Sequence, residues 1–581
     1  MTRAQKIAGA LMTILLGLAT YAFFAFKYPY HLHFQEQYQL FESTWDYFAG
    51  VAALPGGLAD WIGRFLVQFF YYATAGAAIM AVLFCGVQLL AWAACRRRSM
   101  VSYALGFLPV VPLFAFYCDE NAIVGATVAL ILALAAAALC ARVRGRRARR
   151  ILAAVLVPLL YLACGPLAVV FAGAVAAAEF SRGEKHAWRL VAVLFALLLV
   201  CPFVAQQFVA YPLGQLFYGV HYIRYRNVLP LLLWAAALLC ILLAAGAAWR
   251  ARRRPLRAPL AWGLGCYALI AVAGLLYVPR LADLGKEEWM RYDFMVRMEM
   301  WNRIMMQADA KNPDNPITVS CLNLALAKTG RMNDHLFDYF QNGPEGLLPN
   351  FVNNHFSPVS TGEIYWHLGM VNTAQRFAFE AQEAIPDFQK SARCYKRLAQ
   401  TNIVNGDWDV ARKYLKALQH AHFYRRWAKE TAAALDAGDI FERQPDLARV
   451  RDLRLKEHDF LYSDGEKDSM LGLLRVENPS NGLALDYLMA LCMLSKDLDR
   501  FVECLSLVDA PSLPKTYQEA LLLRWVLTHD SFQGLPEYLS PAYARRISNF
   551  ISDSQAGRSE AEMQRSYGDT FWFYYYYRFR Q

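Results

Sequence analysis

Three short stretches of this 581-residue chain concentrate side chains that could do chemistry. The first, HFQEQYQLFESTWDYF, carries Glu36, Glu42 and Asp46, and Asp60 follows in LPGGLADWIGRFLVQFFYY. A carboxylate of this kind can take the proton of an attacking hydroxyl. The second, YCDEN, sets Asp119 and Glu120 side by side, a pair that could hold a divalent cation or a proton. In the third, HYIRYRN, His221, Arg224 and Arg226 alternate with Tyr222 and Tyr225. Arginine offers a planar fork suited to phosphate oxygens, and tyrosine sits readily at the depth of lipid headgroups. Each stretch also has a plainer reading: the solvated face of an interfacial helix, an exposed loop tip, and simple headgroup anchoring.

The three share a location only if the first half of the chain spans a membrane. The chain is 57% hydrophobic with a formal charge of +11, averages that conceal a change near residue 278. Before it, charge is almost all arginine in short clusters between apolar runs; after it, acids and bases mix as on a water-facing surface. The basic excess therefore belongs to loops beside a membrane. No motif for RNA or DNA accompanies it, so nucleic acid is not an expected partner.

Apolar runs at residues 6–26, 72–94, 101–117, 122–141, 188–208, 228–249 and 260–277 suit a hydrocarbon layer ~30 Å thick. The run 151–180 is broken by Gly165 and Pro166, and reads either as one kinked helix or as a hairpin of two short spans. The basic clusters at residues 3–6, 96–98, 142–150, 182–189 and 250–257 fall on one face only if that run crosses twice. The expectation is a bundle of about nine spans with the N-terminus in the cytoplasm. All three chemistry-bearing stretches then lie on the opposite face, with residues 27–71 as two amphipathic helices along the interface.

Residues 278–581 are polar and helical in period, and form the second expected domain after 1–277. Within them, SARCYKRLAQTNIVNGDWDVARKYLKALQHA places Tyr395, Leu398, Ala399, Gly406, Trp408, Ala411, Leu415 and Leu418 at tetratricopeptide spacing. TVSCLNLALAKTGRMNDHLFDYF, with its turn at Gly330, is a weaker unit of the same kind. The fold class is thus all-α, a transmembrane bundle followed by a tetratricopeptide-like solenoid whose concave face could take a protein or peptide. The aromatic ending FWFYYYY must dock, on this domain or at the membrane interface. Twelve cysteines show neither CxxC nor zinc spacing and read as small buried residues.

The layout of residues 1–277 resembles the GT-C superfamily of membrane glycosyltransferases: a first span, a long outer loop with interfacial helices and an acid, then a second acidic outer loop. The resemblance implies transfer of a sugar from a lipid-phosphate carrier to an acceptor on the outer face. The matching places are Glu36, Glu42 or Asp46 as base, Asp119 and Glu120 for the acceptor or a divalent cation, and Arg224 and Arg226, with His221, at the carrier phosphate. No DxD occurs in the first loop, so the family acid is not assigned to one residue. Its partners would be membrane lipids and a lipid-linked sugar donor; no other cofactor is implied. The whole string, including YPYHLHFQEQYQLF, also resembles an uncharacterised bacterial family of polytopic inner-membrane proteins with a helical C-terminal domain. That likeness implies a periplasmic second half and carries no activity. The rival reading is a membrane-anchored scaffold that recruits an envelope protein.

Overall fold

The computed structural model describes residues 1–95, 99–183, 186–225, 228–250, 258–350, 352, 357–386, 389–455, 465–509 and 512–578. Among them the chain is helical and holds no strand; the one extended pairing is an isolated antiparallel bridge between Ala122 and Ile223. Arg96, Arg97, Arg98, Lys185 and residues 251–257 of the basic clusters lie outside the described residues. The chain divides into two compact units. One comprises Met1–Glu287 together with Pro386–Ala392 and Ala417–Arg426, and the other comprises Glu288–Ile385, Arg393–Lys416 and Trp427–Gln581.

Among the described residues, six helical stretches of the first unit are long and apolar enough to cross a membrane: Arg3–Lys27, Ala73–Ala94, Arg146–Ser181, Ala187–Ala205, Leu231–Trp249 and Pro259–Leu281. Leu11, Ile14, Leu15 and Leu18 of the first, and Leu269, Val272, Leu275 and Leu276 of the last, are more than half exposed. Apolar surface of that extent is costly in water and natural in lipid. The unit is therefore compatible with a multi-pass membrane protein. The expected run 101–117 is helical in two parts, Met100–Leu105 and Val110–Phe116, with a turn at Gly106 and Pro109, where the proline lacks the N–H that would continue the ladder.

Residues 151–180 form a hairpin. Arg146–Cys164 and Ala168–Ser181 are joined through Gly165, whose φ of +66° favours glycine. Arg149 near the start and Glu179 near the end meet at 2.6 Å, whereas a continuous helix would hold them roughly 45 Å apart at 1.5 Å per residue. Glu179 is fully buried and also accepts from Arg182 at 2.6 Å. At the other end of the hairpin, the Tyr222 hydroxyl accepts from Leu167 N at 3.1 Å and donates to Cys164 O.

Val124–Cys140 runs through the core of this unit, with most of its length buried. Helix Gly57–Val67 lies directly on it, because Gly63 and Gly125 present no side chains to each other. A Cβ on Gly63 would stand 2.3 Å from Gly125 N, and one on Gly125 2.9 Å from Asp60 Cα. Backbone contact of this kind needs small residues, and it seats Asp60 deep in the unit.

The second unit is built from successive helices, among them Trp301–Ala310, Pro316–Lys328, Ser357–Leu368, Val371–Glu383, Lys467–Glu477 and Gly482–Leu494. Asn315 and Asn481 cap two of them through side-chain oxygens. The expected helix–turn–helix at residues 391–421 is present as Ala392–Asn405 and Trp408–Leu418, with Gly406 turning at φ +90° and Leu398, Ala399, Ala411 and Leu415 buried. The aromatic ending forms helix Phe571–Tyr577 and packs within this unit. Trp572 Nε1 donates to Glu519 O at 2.8 Å and the Tyr574 hydroxyl to Leu494 O at 2.7 Å. All twelve cysteines are free thiols, nine of them buried.

Candidate functional site

In the first unit the three chemistry-bearing stretches meet. Pro29–Gln37 forms a helix with proline at its first position, and the Glu287 carboxylate accepts from Tyr30 N and His31 N at 2.8 and 3.0 Å. A carboxylate there satisfies amide groups that have no partner within the helix. From this helix Gln35 Nε2 donates to Ala122 O at 3.0 Å, which joins it to the end of the YCDEN turn. Ala122 is bridged to Ile223: Ile123 N donates to Tyr222 O at 3.1 Å and Arg224 N to Asn121 O at 2.8 Å. Stretches around residues 35, 121 and 224 are thereby held in one hydrogen-bonded array.

Arg224 sits at the junction. Its guanidinium lies 5.1 Å from the Tyr38 ring centroid, and its Nη1 donates to Tyr38 O at 3.4 Å. Its Nε is buried without a hydrogen-bond partner among the described residues. Burial lowers its proton affinity, while Tyr38, Tyr225, Glu120 and Asp119 act the other way. Burial, with Arg224 and Lys286 adding to it, pushes the His31 imidazole down to about 3, so it is neutral.

Asp119 is exposed and accepts from Asn121 N at 2.8 Å and Asn121 Nδ2 at 3.1 Å, closing its own turn. Glu120 pairs with Lys286 at 2.9 Å. Among the described residues no group of three or more His, Cys, Asp and Glu is arranged to hold a metal ion. Glu36 is buried and accepts from the Tyr424 hydroxyl at 3.3 Å. Glu42 pairs with Lys390 at 2.6 Å. Asp46 is exposed in the first turn of Trp45–Ala52, where a negative charge favours the helix start. His221 is buried, with Nδ1 3.7 Å from Asp60 Oδ2. Arg226 lies outside the described residues. Of the sequence-derived candidates, the fold thus gathers Asp119, Glu120 and Arg224 and sends Glu36 and Glu42 to different partners.

Other participants were less visible in advance. Asp60, already among the acids of the first stretch, pairs with Arg64 at 2.7 Å, and Arg64 Nη1 also donates to the Tyr47 hydroxyl at 3.3 Å. The i, i+4 spacing of Asp60 and Arg64 on an amphipathic helix was the available clue to that pair. His31, Gln35, Tyr38 and Lys286 gave none, since their roles depend on partners from about 85 to more than 250 residues away.

A protein-family model matches residues 3–578, nearly the whole chain. The chain belongs to DUF6057, a family of unknown function. No curated protein and no solved structure matches it. For this DUF6057 member, the functional reading must come from the array around Arg224.

Proposed function

We propose that this DUF6057 protein is an integral membrane glycosyltransferase of GT-C type, moving a sugar from a lipid-phosphate carrier to an acceptor on the outer face of a bacterial inner membrane. What supports the reading is the meeting of three distant stretches at Arg224, beside an exposed acid. Arg224, together with Arg226 and His221, is assigned to steady the carrier phosphate. Asp119 takes the acceptor proton as the acceptor oxygen bonds to the anomeric carbon and the bond from that carbon to the phosphate oxygen breaks. Glu120, held by Lys286, keeps the turn in place; a divalent cation would need donors from the substrate as well. Glu36, Glu42 and Asp46 become positioning residues in this scheme. The accompanying topology has nine spans, a cytoplasmic N-terminus and a periplasmic tetratricopeptide-like second domain over residues 278–581.

The test is sugar transfer in membranes supplied with polyprenyl-phosphate hexoses. Arg224→Ala and Asp119→Asn are each expected to lower transfer by about 100-fold or more, the scale of losing one charge-stabilising or proton-handling group. Wild-type transfer by the double variant, or no transfer by the wild type with any hexose donor, overturns the reading.

One observation favours a scaffold instead. Glu42 is tied to Lys390, Ser391 Oγ donates to Gln37 O at 2.7 Å, and Ser43 N donates to His420 O at 3.1 Å. Two first-stretch acids, Glu36 and Glu42, are thus spent on segments 386–392 and 417–426. A scaffold predicts a recoverable envelope partner and an unchanged phenotype in Asp119→Asn.

A further inference from the structure

The hairpin end at which Arg149 meets Glu179 carries a dense positive charge. Residues 142–189 hold nine basic side chains, six of them from Arg142 to Arg150, against two acids, Glu179 and Glu184. Of these, Glu184 and Lys185 lie outside the described residues. Folding gathers the others. Glu179 takes Arg149 and Arg182 on one oxygen at 2.6 Å each, and Arg150 stands 3.6 Å from the other. Arg149 Nη1 donates to Val143 O at 3.2 Å and Arg182 Nη2 to Ala141 O at 3.1 Å, so the turn after Val124–Cys140 is fastened to both legs of the hairpin.

One carboxylate thus serves three guanidinium groups in an inner layer. Outside it Arg142, Arg144, Arg146, Arg147 and Arg189 are exposed, and of these Arg142, Arg144, Arg147 and Arg189 form no ion pair among the described residues. Helix Arg146–Cys164 offers no relief: its first turn has no acid, Gly145 caps it without a side chain, and a helix start is itself positive. Directly beside this charge the surface is apolar. Leu139, Ile151, Phe180 and Trp188 are 61%, 65%, 48% and 61% exposed, each within three residues of an arginine. The Arg189 guanidinium lies 5.5 Å from the Trp188 ring centroid.

An arginine layer set against an exposed apolar collar matches an amphiphile with an anionic head. A soluble anion answers the charge and leaves the collar in water, and a zwitterionic lipid covers the collar and leaves the charge. We infer that this hairpin end binds an anionic phospholipid, its phosphate between the exposed arginines and its acyl chains along the collar. Guanidinium forks fit phosphate oxygens, and each basic side chain beside an anionic lipid surface contributes about fivefold in affinity. The inference rests on the multi-pass reading of the first unit and is independent of sugar transfer. Release of the protein from membranes by detergent, and not by high salt, checks the multi-pass reading separately.

The test uses full-length protein in an uncharged detergent, with native mass spectrometry counting the ligand bound from phosphatidylglycerol, phosphatidylcholine and glycerol 3-phosphate. Phosphatidylglycerol is expected to bind saturably, and the other two about tenfold or more weakly. Arg142→Gln, Arg144→Gln and Arg147→Gln together should weaken phosphatidylglycerol about 100-fold. The same loss of charge at exposed positions of the second unit, Arg303→Gln with Arg545→Gln and Arg565→Gln, should leave binding unchanged. None of the first three arginines holds a carboxylate among the described residues, so that variant should melt no lower than the wild type. In the wild type alone, raising salt from about 50 to about 500 mM should weaken binding about tenfold. Absence of saturable binding, equal binding of phosphatidylcholine or of glycerol 3-phosphate, indifference to salt, or equal behaviour of the two triple variants overturns the inference.

Discussion

Arg149 and Glu179 are 30 residues apart in the chain and 2.6 Å apart in space. The contact closes a hairpin whose legs share a buried carboxylate between Arg149 and Arg182, with Arg150 at 3.6 Å. Removing the acid leaves guanidinium groups facing each other in a confined site. Glu179→Ala is therefore expected to cost about 3–5 kcal/mol, the scale for breaking a buried pair on one side only. Denaturant titration in detergent measures it. An undiminished midpoint would mean that the hairpin is held by its turn and packing alone.

Gly63 and Gly125 make a second sharp expectation. A methyl on Gly63 would meet backbone atoms of Gly125 at 2.3 and 2.6 Å, atoms that cannot rotate aside. Gly63→Ala should destabilise by about 1–3 kcal/mol through overpacking. Gly50→Ala is the control, since nothing lies within 4 Å of its added methyl. Because Asp60 shares the helix with Gly63, the first variant should also disturb the Asp60–Arg64 pair. Equal melting of the two variants would remove the close-contact argument.

Glu519 in the second unit supplies a pH dependence. It is fully buried, and burial pushes its carboxyl up from 4.5 to about 8, although Phe571 N and Lys515 favour the charged form. Between these values the folded chain holds a proton that the unfolded chain has lost. Stability from this group is thus complete below 4.5, declines as pH rises to about 8, and is flat above. Glu519→Gln keeps an acceptor for Phe571 N and should flatten that decline. Melting temperatures of both proteins from pH 5 to 9 check it; parallel curves would mean that Glu519 ionises normally.

Much of the helical plan was legible because it rests on local physics. Apolar runs such as residues 72–94 and 188–208 announce themselves by length and fold as helices Ala73–Ala94 and Ala187–Ala205, and Gly165 with Pro166 marks a break that fits either a kink or a hairpin. The same method gives no sign of the turn at residues 106–109, since hydropathy runs on through Gly106 and Pro109 between helices Met100–Leu105 and Val110–Phe116. It ranked Glu36, Glu42 and Asp46 together because they are neighbours in the chain. The fold gives them a buried hydroxyl, a lysine and open solvent respectively.

By itself the sequence determined the all-helical class, the apolar first half and the polar second half, since those follow from composition and from periodicity over a few turns. Tertiary structure alone decided that Arg149 returns to Glu179, that Arg224 lies against Tyr38, and that segments 386–392 and 417–426 belong with the first unit. Which charge neutralises which is set by packing between residues tens to hundreds of positions apart. No spacing along the chain encodes that choice.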